Sequence, residues 1–140
     1  MGDARRVIAA ALLVGLVGCV QPPEGAQVPE CEGIALDRPM TRVDPLDDSA
    51  RQEPVTIECW RESDRERVEL WYALPPGPTC WRLTAVELRE SADAVGLALT
   101  AGTADDATGG ACAPEPASER TVVELQAPLA DRVILDVGGG

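Results

Sequence analysis

The sequence predicts an all-β domain, a small antiparallel β-sandwich or partly open barrel. From Val55 onward, apolar residues recur with period two in short runs. Clusters of charged residues, Pro and Gly separate those runs as turns. The aromatic supply is also thin, with no Phe and only Trp60, Trp71, Trp81 and Tyr72, so the core must rest on Val, Leu, Ile and Ala.

Taken in order, Val55, Ile57 and Cys59 alternate with Thr56, Glu58 and Trp60. After the charged turn Glu62–Glu66, Val68, Leu70, Tyr72 and Leu74 alternate with Glu69, Trp71 and Ala73, which predicts a hairpin. Pro75–Pro78 then breaks the chain. In the long run Cys80–Arg89 the apolar parity shifts from Trp81 and Leu83 to Val86 and Leu88, as a β-bulge near Ala85 would produce. A helix from Thr84 to Ala92 competes here, because Leu83, Glu87 and Glu90 suit one. Val95, Leu97 and Leu99 alternate again, and Thr121–Leu125 and Arg132–Val137 complete a set of about six strands.

Ahead of the strands the character changes. Arg5-Arg6 precedes an unbroken apolar run, Val7–Val17, the order of an export signal. As a helix that run rises only about 16 Å, short of the roughly 30 Å hydrocarbon core, and the Gln21–Gly25 segment with its paired prolines cannot extend it. The run ends in Leu16-Val17-Gly18-Cys19, which resembles the lipobox of bacterial lipoprotein precursors. That resemblance implies cleavage between Gly18 and Cys19 and a lipid on the Cys19 thiol. The chain then divides into a signal peptide at 1–18, a lipidated cysteine with a Pro-rich disordered tether at 19–33, and a disulfide-clipped β domain at 34–140 with its core at 54–138. The expected location is the cell membrane, facing away from the cytoplasm.

Cysteine arithmetic agrees. The chain has 5 cysteines, and lipidation of Cys19 leaves an even set. Cys31, Cys59, Cys80 and Cys112 allow several connectivities. Pairing Cys31 with Cys59 and Cys80 with Cys112 is favoured, since each bridge would clip a flexible segment to a strand. A zinc-thiolate site fits poorly: there is no C-x-x-C pair, no His, and the compartment is oxidising.

Net charge is -12, which excludes nucleic acid as a partner on electrostatic grounds. The membrane, reached through the lipid on Cys19, is the partner implied; a protein or wall partner is not specified. The absence of His removes Ser-His-Asp and Cys-His catalysis, and the absence of Lys removes Schiff-base and phosphate-loop chemistry. Carboxylates survive as candidates. Asp105-Asp106 and the segment with Asp44, Asp47 and Asp48 could each supply the acid and base of a small hydrolase, for which Asp105-Asp106 is the nameable candidate, or oxygen ligands of a calcium-dependent module. Neither segment has the expected form, and the inventory calls for no catalytic residue, metal or cofactor. Trp60 and Trp71 are read as core before binding surface.

The runs Thr79–Leu83, Val86–Leu88, Val95–Leu97, Gly110–Cys112, Val122–Leu125 and Leu129–Val133, taken with the lipobox, resemble uncharacterised small lipoproteins of actinobacteria. The resemblance implies a lipid-anchored exported domain and brings no activity with it; the anchor, the acidic domain and the missing catalytic side chains lead to the expectation of a binding or structural role.

Overall fold

The computed structural model describes residues 21–32, 38–45, 51–75, 81–103 and 118–139. These residues form strands β1 (Ala26–Gln27), β2 (Gln52–Val55), β3 (Ile57–Asp64), β4 (Arg67–Ala73), β5 (Trp81–Glu90), β6 (Ala94–Thr103), β7 (Ser118–Glu124) and β8 (Val133–Asp136), with no helix among them. The fold is all-β, two sheets facing across one core, as the periodicity predicts. Thr84–Glu90 belongs to β5, so the competing helix does not form.

The first sheet is built on β6. One edge of β6 pairs with β5 along its length. The other edge is shared end to end, by β8 beside Ala94–Leu97 and by β2 beside Leu99–Gly102, with β1 outside β8. The β6–β8 pairing is parallel, a departure from the antiparallel sheet expected. Parallel neighbours need a crossover, and β7 supplies it by crossing to the second sheet, whose order is β3-β4-β7.

The chain changes sheets at Thr56, between β2 and β3. Pro54 is tolerated in β2 because that short strand pairs on one side only. At the corner the amide of Ile57 donates to the Oδ2 of buried Asp136 at 3.0 Å, which settles a donor the bend would otherwise orphan. The predicted bulge is present in β5, where the register slips between Leu83 and Ala85.

Alternation places Val68, Leu70 and Tyr72 of β4 against Val95, Leu97, Leu99 and Ala101 of β6 in one buried cluster. Full burial of each Leu or Val is worth about 1.5–3 kcal/mol. The outward face of β6 carries small residues because chain lies upon it. A Cβ on Gly96 would come within 2.7 Å of the Pro23 Cβ, and one on Gly25 within 2.3 Å of the Asp136 carbonyl oxygen.

That covering corrects the expected tether. The prolines of residues 19–33 predict a disordered tether, yet within the described part Ala26 and Gln27 pair with β8. Val28 is buried, and the Trp60 amide donates to the Pro29 carbonyl while the Trp60 carbonyl accepts from the Cys31 amide. Main-chain pairing and one apolar side chain suffice to order it, and composition reports neither.

Ala130 adopts φ 48°, a left-handed conformation that a Cβ disfavours. Ala130→Gly is therefore expected to raise stability by about 0.5–1 kcal/mol, after allowing for glycine's greater unfolded freedom. Urea denaturation checks it, and a lower midpoint would contradict the assignment.

Candidate functional site

Two side-chain networks stand out, one on the outer face of the second sheet and one at the end of the sandwich below the β5–β6 turn. The first centres on β4, where Val68 to Tyr72 are buried on both faces of the strand. Cys59 of β3, Trp71 of β4 and Arg120 of β7 share one row across the sheet, with Arg61, Glu69 and Val122 in the next. Glu69, 7% exposed, accepts from Arg61 at 2.6 Å and from Arg120 at 3.4 Å. The Arg61 guanidinium also stacks 5.4 Å from the centre of the Trp71 ring. Trp71 is fully buried, and its indole N–H has no acceptor among the described residues. An orphaned buried donor costs about 1–3 kcal/mol, which the packing of the ring offsets.

On the inner face of β4, the Tyr72 hydroxyl donates to Glu119 at 3.2 Å. Burial first, and then the Glu119 carboxylate, hold this phenol well above the ordinary tyrosine range. A raised folded value contributes stability that is complete below about pH 10, the unfolded value, and is lost as pH rises past it. Tyr72 is the chain's one tyrosine and there is no lysine, so no other phenol or ammonium side chain titrates in that window. The urea midpoint is expected to fall above pH 10 in the wild type and to change far less in Tyr72→Phe. Equal alkaline losses in both would count against this account.

The second network surrounds Arg132. Its Nη1 pairs with Glu90 Oε1 at 2.8 Å, both side chains being 8% exposed. Its remaining donors reach the carbonyls of Ala127 at 2.7 Å, Pro128 at 2.8 Å and Leu129 at 3.3 Å. Glu90 Oε2 in turn accepts the Gln126 amide at 2.6 Å. The network fastens the 126–132 loop beneath the β5–β6 turn, beside a shallow open depression rimmed by Ser91, Asp93 and Asp131. Neither arginine nor glutamate is free there to act on a ligand.

Of the residues singled out from sequence, Cys31 and Cys59 form a disulfide. Cys19, Gly18, Cys80 and Cys112 lie outside the described residues, as do Asp47, Asp48, Asp105 and Asp106. Asp44 is described and is paired with Arg82 at 3.2 Å. Among the described residues, no cluster of three or more His, Cys, Asp or Glu is arranged to hold a metal ion. Trp60 packs against the core and donates its indole N–H to the Val28 carbonyl at 3.0 Å. The Arg132–Glu90 network was missed in the sequence; its members lie 42 residues apart, and no local pattern links them.

The class these features define is a two-sheet, all-β domain whose N-terminal segment is closed by the Cys31–Cys59 disulfide. Comparison with protein-family models, curated proteins and solved structures gives no match to this chain.

Proposed function

We propose that this chain is an exported protein, anchored to the cell membrane through a lipid on Cys19 and facing away from the cytoplasm. Its β domain serves there as a binding or structural module. The observation that carries the reading is the Cys31–Cys59 disulfide, because such bonds persist in compartments outside the reducing cytosol. The lipobox-like Leu16–Cys19 run supports it, coming directly after Arg5-Arg6 and the apolar stretch. The binding or structural role is supported by how the buried carboxylates are used. Glu69, Glu90 and Asp136 are each engaged by fixed donors, an arrangement that holds strands and loops together.

An anchor on Cys19 would be only two residues from the described fold. Gln21 lines one open depression with Arg89 and Glu90, and two residues of chain span at most about 7 Å. A partner is thus sought near the membrane surface. In the expected result, intact mass of the membrane-fraction protein shows a diacylglyceryl adduct on Cys19, and Cys19→Ala moves the protein to the soluble fraction. An unmodified thiol at Cys19 would sink the reading.

A further inference from the structure

We propose that the outer edge of β5 pairs antiparallel with the same edge of a second copy of this chain, about a two-fold axis at Leu88. One edge of β5 is consumed by β6. The other is closed only at its start, where the Leu83 carbonyl accepts the Asp44 amide at 2.9 Å just before the bulge. From Ala85 to Glu90 that edge has no hydrogen-bonded strand beside it among the described residues. The N-terminal segment approaches Arg89 and Glu90 from the outer face, where Pro23 covers Gly96, and it makes no backbone hydrogen bond to β5.

The hairpin closure fixes which groups are unpaired. The Ser91 amide donates to the Ala94 carbonyl, so Ser91 turns its backbone toward β6. By the antiparallel alternation Arg89 and Glu87 do the same, while Glu90, Leu88 and Val86 turn their N–H and C=O groups outward. Side chains alternate across the faces. Glu87 and Arg89 are exposed on the outer face, and Val86 and Leu88 pack partly against the core.

These facts select one register. With the axis at Leu88, each copy's outward groups at Val86, Leu88 and Glu90 meet Glu90, Leu88 and Val86 of the other. The same register sets Glu87 opposite Arg89 of the second copy, and Arg89 opposite Glu87, an attractive cross-strand arrangement. An axis between two residues would set outward groups against inward ones, and an axis moved by one residue, though it keeps outward groups opposite each other, sets Glu87 or Arg89 against itself, a like-charge contact. Charges on an edge strand ordinarily prevent pairing. Here the opposite signs two residues apart reject a shifted register and accept this one. A net charge of -12 on each copy opposes association and keeps the contact reversible.

The test places a photo-crosslinking residue at exposed Ala85 in the full-length chain and mixes two differently tagged copies. A dimer crosslinked from position 85 of one copy to the Ser91 region of the other is expected. Glu87→Arg or Arg89→Glu alone should lower its yield by about tenfold, and the E87R/R89E double variant should restore it. Absence of a dimer, a crosslink to another surface or to a different protein, unchanged yields in the single variants, or no recovery in the double variant would each overturn the proposal. The wild-type crosslink map stands as a measurement even if a variant folds poorly.

Discussion

Arg132→Met is expected to destabilise the domain by about 3–5 kcal/mol, the cost of stripping one partner from a buried ion pair. The substitution leaves the Glu90 carboxylate, 8% exposed, facing an apolar side chain, and it withdraws the donors from the 127–129 carbonyls. Arg132→Lys should recover little. A single ammonium cannot reproduce the planar fork that serves Glu90 on one side and the loop carbonyls on the other. In a double-mutant cycle, E90M/R132M should cost less than the two single changes together, because no charge is then left buried alone. Urea unfolding of the four proteins measures the coupling, and strict additivity would show that the pair contributes nothing as a pair.

The second large effect concerns the disulfide. Removing it as Cys31→Ala/Cys59→Ala is expected to cost about 3.5 kcal/mol in the chain-entropy model, since the bond closes a 28-residue separation. Alanine is the suitable replacement because Cys59 is 1% exposed and a serine hydroxyl there would add a buried polar group. The loss should also be uneven. The pairing of β1 with β8 involves two residues, Ala26 and Gln27, so the N-terminal segment should exchange its amides early, well before β4 or β6. Hydrogen exchange with mass readout over residues 21–32 checks this, and uniform protection across the variant would contradict it.

The period-two runs were legible because β3, β5 and β7 each have a wetter and a drier face, and because β4 and β6, though buried on both faces, put Glu69, Trp71, Gly96, Ala98 and Thr100 on the outward one. The β5 bulge was visible as a change of parity, and the β3–β4 hairpin as two alternating runs around Asp64 and Arg65. Other features escaped for physical reasons. β1 is held by main-chain pairing, and a Pro-rich neighbourhood masks such a short element. The parallel alignment of β8 with β6 depends on where β7 crosses, a long-range property of topology. Glu69 reads as an exposed member of an alternating strand, yet it is buried by arginines from β3 and β7. The network around Arg132 was hidden for the same reason, since its contacts are mostly to backbone carbonyls that carry no side-chain signature.

The disulfide has a mechanical consequence as well. A pull applied at Gln21 meets first the β1–β8 pairing, which opens rung by rung at low load because the strand is so short. Past Val28 the force reaches Cys31, and there it passes through a covalent bond into β3, in the middle of the chain. The N-terminal segment can therefore reach at most about 35 Å from Cys31, and any further load enters the sandwich at β3.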